Sequence, residues 1–183
     1  GSAFPPTAMA ALLGLRQSGL IRSLGLASRG ESQDRHLAGG VFDALAAPFN
    51  LSSGWADRHR IRNAMAHDVA VIGEDFWPQS IREREAKPIF KKPSLWRRRT
   101  DPLTNLGGYD FLDNTTGWTG QELCLGYALT EPSLATVQVI TTKRDKLEAL
   151  SAVVERDLPT GCAAQIERAR FSAEQAAGTK RRA

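Results

Sequence analysis

Cysteine, histidine and long apolar runs are all scarce in this chain of 183 residues. Its two cysteines, Cys124 and Cys162, stand alone, and neither they nor the three histidines take the short spacings of a zinc site or a C-x-x-C redox pair. A Cys/His metal centre is thereby excluded, and two buried thiols in a reducing compartment are expected in place of a disulfide. No stretch approaches the roughly 18 consecutive apolar residues of a membrane-spanning helix, which excludes a bilayer span of that kind. The opening Gly1-Ser2-Ala3-Phe4 has no initiator Met and no charged-then-apolar signal pattern. It reads as a cloning remnant or as a processed end, so further sequence upstream is one expectation, and a cytoplasmic or organelle-matrix location is another.

What is present is an ordinary globular composition, 42% hydrophobic and 24% charged, enough for a single domain over residues 1–183 with a real core. The formal net charge of +4 is local in origin. Eight basic residues fall between Ile81 and Asp101, against Glu83, Glu85 and Asp101 as acids, so the rest of the chain is close to neutral.

Four short apolar runs punctuate the sequence: Leu24–Ala27, Ala44–Ala47, Val69–Ile72 and Val137–Ile140. Amphipathic helical stretches follow them, the order expected of βα units with parallel strands, whose crossovers need a dozen or more residues. Helices are expected at Thr7–Ser18, with Met9, Leu12 and Leu13 inward and Gly19 as terminator, at Ser32–Leu37, and at Ala56–Ala66, with Ile61, Ala64 and Met65 inward. Thr119-Gly120-Gln121-Glu122 is a capping box opening a helix through Leu129. Beyond a strand at Thr136–Thr141, a helix carries Leu147, Leu150 and Val154 on one face. A last helix from about Thr160 carries Ile166, Ala169 and Ala173, and the tail at about 178–183 is expected to fray. The other strands are expected at Ile21–Ser28, Phe42–Phe49 and Val69–Gly73.

Between the third strand and the capping box the alternation stops for about forty residues, Trp77 to Trp118, with Pro78, Pro88, Pro93 and Pro102. Loops that long are usually functional or are insertions. Lys91, Lys92, Arg97, Arg98 and Arg99, interleaved with Phe90 and Trp96, form a pattern suited to phosphate contact and base stacking, so nucleic acid is one expected partner. The plainer alternative is a solvated insertion pinned by Phe90, Leu95 and Trp96. Glu74-Asp75 sits at the carboxyl end of the third strand, where such folds keep their chemistry, and either works as an acid–base pair, binds a metal, or is a solvated pair facing an Arg. His36, His59 and His67 read as surface histidines, and Ser52-Ser53-Gly54 lacks a nucleophile-elbow context. Asn114-Thr115-Thr116 asks only for a turn.

Taken in order, these segments resemble the aldo-keto reductase family. Gly19-Leu20-Ile21-Arg22-Ser23-Leu24-Gly25-Leu26-Ala27 is similar to that family's "GKIRxIGVS" strand, and Phe42-Asp43-Ala44-Leu45 with Phe49-Asn50-Leu51 to its "FDVLQxxYNLL". His67–Ile72 is similar to "xGIGVIAYSPL", and Leu123–Leu150 to "ALxWxLxxPxVxxVIxGTTKxxxLEDA". The resemblance runs from about Thr7 to Phe171 and implies an α/β fold: the carboxyl-terminal half of a TIM-type (β/α)8 barrel, four βα units with a long basic insertion after the third strand and a C-terminal helix.

The resemblance also implies a nicotinamide cofactor, NADP or NAD, lying across the strand ends. Its contacts would include Ser28, Asn50, Thr141, Thr142, Lys143, Arg144 and Glu148. Thr141-Thr142-Lys143 fits a phosphate-contacting turn at a helix start. At the nicotinamide end the chain departs from the family: Ala27-Ser28 stands for Ser-Asn, Ala46 for the strand Gln, and Glu74 for the ring-stacking Tyr. Leu150 stands for the Asn that follows the adenine-contacting Glu. The family's catalytic Asp, Tyr, Lys and His belong to the other barrel half, and no such set is assignable here.

The expected function is therefore the cofactor-binding half of a carbonyl reductase without its catalytic residues. The alternatives are a non-catalytic scaffold, regulatory or assembly subunit, and a nucleic-acid adaptor. A half barrel should expose two sheet edges and an inner face of Leu24, Leu26, Leu45 or Val71 type, so a second barrel half, self-association or a host assembly is expected to cover it.

Overall fold

In the computed structural model, which describes residues 5–27, 31–79, 81–82, 112 and 115–180, the four strands form one parallel sheet. Strands β1 (Gly25–Ala27), β2 (Ala44–Pro48), β3 (Ala70–Glu74) and β4 (Thr136–Val137) lie in sequence order across it. The helices are α1 (Pro6–Gln17), α2 (Glu31–Leu37), α3 (Trp55–Ala66), α4 (Gly120–Leu129), α5 (Arg144–Ser151) with a 3-10 turn at Ala152–Glu155, and α6 (Cys162–Lys180). This is the expected α/β arrangement of four βα units and a C-terminal helix. Helix α6 continues to Lys180, and 181–183 lie outside the described residues.

Register fixes which residues share a face. Leu26, Leu45 and Val71 are cross-strand neighbours, and all three are buried. One residue along, Ala27, Ala46 and Ile72 are neighbours on the opposite face, half-buried or exposed. Successive side chains alternate between faces, so the large apolar residues lie on one side and small ones on the other. Helix α3 packs on β2 and β3, and α4 on β4, so the buried side is the helix side. This corrects the expected inner face: Leu24, Leu26, Leu45 and Val71 point into the helix layer. The open face instead carries Ala27, Ala44, Ala46, Ala70 and Ile72. Apolar alternation marks a buried face but does not say which side the helices take.

The strands are shorter than the apolar runs suggested. Ile21 to Leu24 and Gln138 to Thr141 lie outside the ladder, although Leu24 is buried and Val139 packs on the core. Met65, Leu147 and Val154 are exposed and not inward; Ile61, Leu150 and Val153 fill those roles. Both cysteines are buried and neither is in a disulfide, and burial pushes the Cys162 thiol up. Gly73 is closely packed: a Cβ there would stand 3.0 Å from Leu134 Cδ1, so that side chain would have to give by a few tenths of an ångström. The flanks of the long insertion are anchored by Ile81 and Leu112, both buried in the core. Phe90, Leu95, Trp96 and the basic run Lys91, Lys92, Arg97, Arg98 and Arg99 lie outside the described residues, as do Glu83, Glu85 and Asn114.

Helix ends follow local chemistry. Thr119 Oγ1 accepts from the Glu122 N–H at 3.2 Å and Glu122 Oε2 from the Thr119 N–H at 2.7 Å, the reciprocal box that starts α4. Helix α1 closes on Gly19 at φ 76°, with Leu20 N–H reaching Leu15 O and Gly19 N–H reaching Arg16 O. Helix α3 closes the same way, Val69 N–H to Ala64 O and Asp68 N–H to Met65 O, yet its left-handed residue is Asp68, at φ 59°.

A polar cluster clamps α3, α4 and α6 together. Arg58 donates to the Tyr127 hydroxyl and to Glu167 Oε1, and Tyr127 donates to the same carboxylate. Arg58 also lies 3.6 Å from Glu131, whose side chain is 4% exposed, and over the Phe49 ring. Burial and the bond to Glu167 push the Tyr127 phenol up. Burial would also raise Glu167, but bonds from Tyr127 and Arg170 and the charges of Arg58 and Arg170 outweigh it and hold this carboxyl below its usual range.

Two outcomes are expected. Asp68→Gly removes a side chain from a left-handed position and should raise stability by about 0.5–1 kcal/mol, read as a higher urea midpoint at constant m-value. Because the folded-state pKa of Glu167 is depressed, its stabilisation is complete above the unfolded value near 4.3 and is lost as pH falls through the folded value. The stability gap between wild type and Glu167→Gln should therefore narrow as urea titrations move from pH 7 to below about 4; a constant gap would contradict the clamp.

Candidate functional site at the strand carboxyl ends

The carboxyl ends of β2, β3 and β4 are drawn together by backbone and amide bonds. Phe49 N–H donates to Glu74 O at 2.8 Å, and Gln138 N–H to Gly73 O at 2.8 Å. Asn50 Nδ2 donates to Asp75 O at 3.0 Å, while its Oδ1 accepts from the N–H and Oγ of Ser52. The Asn50 side chain, expected at the cofactor, is thus committed to tying the β2 loop to the end of β3. Ser53 is buried with its Oγ accepting from Asn50 N–H, a structural role in keeping with the absence of a nucleophile elbow.

Glu74 ends β3 on the open face, and Asp75 follows at φ 52°, a left-handed conformation that Asp tolerates better than most residues. Both line a cavity of about 180 Å³ together with Phe76, Trp77, Arg82, Gln121, Gln138 and Ile140. Trp77 separates it from a second recess of about 440 Å³ between the start of α4 and α5, walled by Thr119, Glu122, Lys146 and Leu150. Cations flank the indole: Lys146 Nζ is 4.5 Å and Arg82 Cζ 5.8 Å from the ring centroid. The sequence reading singled out Glu74 and Asp75 but missed Arg82, Gln121 and Gln138 as wall residues. Gln121 was legible only as part of a cap, although a polar residue in an otherwise apolar helix was a usable signal.

The other expected positions form a separate group. Thr141, Thr142, Lys143 and Arg144 follow one another from the end of β4 into α5. Thr141 Oγ1 accepts from Lys143 N–H at 3.2 Å, and the Thr142, Lys143 and Arg144 side chains are exposed. Lys143 is the N-cap of α5 and makes no side-chain capping bond, so the first turn has N–H groups without a side-chain acceptor. Arg144 and Glu148 pair with each other at 2.8 Å on the helix surface. Ser28 lies outside the described residues.

His67 Nδ1 is bonded to Asn63 O, His59 stacks on Trp55, and His36 meets Phe42 edge-on; His59 and His67 are exposed and His36 half-buried. Among the described residues no group of three or more His, Cys, Asp or Glu is gathered for a metal ion, and no helix is long and apolar enough to cross a membrane.

No protein-family model and no curated protein sequence matches the chain. Solved structures do. The apo form of an aldo-keto reductase from Bacillus halodurans matches 92% of this chain and 59% of its own, at TM-score 0.66 and 19% identity. An aldo-keto reductase from Klebsiella pneumoniae in complex with NADPH matches 92% of this chain and 55% of its own, at TM-score 0.63 and 16% identity. A glycerol dehydrogenase from Gluconobacter oxydans matches 83% and 54%, at TM-score 0.50 and 14% identity. The chain spans somewhat more than half the length of these proteins, and over that span it has the aldo-keto reductase fold.

Proposed function

We propose that this chain is the dinucleotide-holding half of an aldo-keto reductase-like barrel, gripping NADPH or NADH by its phosphates and having no reductase chemistry of its own. The observation that carries the reading is the turn from β4 into α5. Thr142 and Lys143 are exposed where the first helical N–H groups lack a side-chain cap, and the helix dipole there favours an anion. Support also comes from the Klebsiella pneumoniae protein of like fold, which was solved with NADPH.

The residues fit one end of such a cofactor and not the other. Glu74 gives a carboxylate where a flat ring would need an aromatic partner, and the open face beside it offers Ala46. A bound nicotinamide supplies hydride. The residues of this chain supply anchorage at the phosphates, and none is assigned to donate the proton that a carbonyl substrate needs. That division favours a non-catalytic, assembly-type subunit over a working enzyme.

Titration with NADPH and NADH tests the reading. Lys143→Ala should weaken binding by about 1–3 kcal/mol, the range for a charge-assisted hydrogen bond. Carbonyl-dependent oxidation of either cofactor should stay at background throughout. Unchanged affinity in the variant removes this turn from the reading, and turnover that survives repeated purification removes the non-catalytic part.

The reading also calls for a cover. β1 and β4 are the edges of the four-stranded sheet among the described residues, and the face carrying Ala27, Ala46 and Ile72 has no helix layer on it there. The occupant proposed is a complementary set of βα units, since the solved neighbours carry roughly as much chain again as this one covers. Without it, the chain should self-associate in sedimentation experiments; a stable monomer across micromolar concentrations would argue against a half barrel.

A further inference from the structure

Helix α6 is held to the helix layer by a small apolar contact and one charged cluster. From Cys162 to Ser172 it buries Cys162 and Ile166 alone, with Ala169 packed partly against the core. Helix α4, which it meets at Tyr127, buries seven of its ten residues. The chain enters α6 through Gly161 at φ 81°, with no atom within 4 Å of where a Cβ would stand. A left-handed, uncrowded glycine at that junction gives the helix a pivot, because its backbone absorbs a change of direction at little steric cost.

The charges divide cleanly between the two sides of the seam. Glu167 accepts from Arg58 at 2.6 Å and from Tyr127 at 2.5 Å across the seam, and from Arg170 of its own helix at 2.8 Å. Arg58 has a second carboxylate, Glu131, 3.6 Å away and buried just beyond α4, which also lies 3.9 Å from Arg62. Arg58 Nε reaches Ser53 O as well, and the guanidinium lies over the Phe49 ring. When α6 leaves, Glu167 therefore takes Arg170 with it, and Arg58 stays with Glu131. Neither side keeps a buried charge without its counter-ion, the condition that makes breaking most buried pairs so costly. The Tyr127 hydroxyl, bared by the same motion, exchanges Glu167 for water.

We propose that α6 is a strap, hinged at Gly161, that lifts off α3 and α4 and reseats as a unit while the sheet and the other helices stay folded. Closed, it seals the seam with Ile166 and ties it with Glu167. Open, it bares Cys162 and the Tyr127 hydroxyl to solvent. Elements with few buried apolar side chains are the ones that open locally in this way. None of these residues belongs to the Thr142–Lys143 turn, so the strap is independent of the dinucleotide reading.

Hydrogen exchange read by mass spectrometry, together with thiol labelling, tests the strap on the full chain at neutral pH without denaturant. Cys162 and the amides from Ile166 to Ser172 should open together, about tenfold or more above Cys124 and the amides of α4. Glu167→Gln weakens the closed state and should raise both α6 readouts about tenfold, the worth of a charge-assisted hydrogen bond. Glu131→Gln should lower them, because Arg58 then has Glu167 as its one carboxylate and loses it on opening. Opposite signs from two carboxylates of one cluster separate a strap from simple loss of stability. Equal labelling of the two cysteines, with α6 and α4 amides exchanging together, would overturn the proposal. So would a Glu167→Gln chain that opens no more than wild type, or a folded Glu131→Gln chain that opens more. Should circular dichroism show that Glu131→Gln does not fold, the wild type and Glu167→Gln decide.

Discussion

The rest of this structure depends on the parallel ladder that puts Leu26, Leu45 and Val71 in register on one face. Those three side chains are buried under the helix layer, with Ile61 and Ala64 of α3 in the same core. At about 25 cal/mol per Å² of apolar area removed from water, this contact is the main driving force for docking helices onto the sheet. It also sets where everything else can be. Once the large residues face the helices, alternation leaves the other face to Ala27, Ala46 and Ile72, and brings the last residue of β3, Glu74, to the open side.

Chemistry then collects at one end of the sheet for a topological reason. Parallel strands all deliver their carboxyl ends to the same edge, so the loops after β2, β3 and β4 meet there. The bonds from Phe49 and Asn50 to Glu74 and Asp75 lock two of those loops into one surface. Helix α4 adds its first turn to the same rim, which is how Gln121 meets residues more than forty positions earlier in the chain. The clamp of Arg58, Tyr127 and Glu167 holds the helices on the far side of the sheet, so its role is to fix the helix layer and not to take part at the rim.

Much of the fold was legible because it is written in local chemistry. Gly19 ends α1, and the Thr119–Glu122 box starts α4, each by a capping bond that a few residues specify. Strand existence and order were legible from the four apolar runs. Strand length was not, because Ile21, Leu24 and Val139 pack on the core without entering the ladder, and burial alone cannot reveal pairing. The facing of the sheet was not legible either, since a period of two is the same whichever side receives the helices. At the site, Glu74 and Asp75 were legible by position, and the Thr141–Lys143 turn by its place before a helix. Arg82 and Gln121 were not, as only tertiary structure brings three separate segments to one cavity.

The smallness of the open face bears on how the proposed half barrel would be completed. In an eight-stranded closed barrel the interior is filled by layers of side chains and is a packed core, with bulky residues predominating. Here β1, β2 and β3 offer Gly25, Ala27, Ala44, Ala46 and Ala70 to that interior, with Ile72 the single large apolar side chain they place there. Voids in a core forfeit contacts on every side, so a lumen at native density must draw its bulk from the opposite strands. A second copy of this chain would bring alanine against alanine and leave the layers underfilled. Complementary strands carrying Leu, Ile or Phe at the facing positions would fill them, following the large-against-small pairing of well-packed interiors. On the proposed half-barrel reading, the alanine face favours unlike strands over a second copy of this chain.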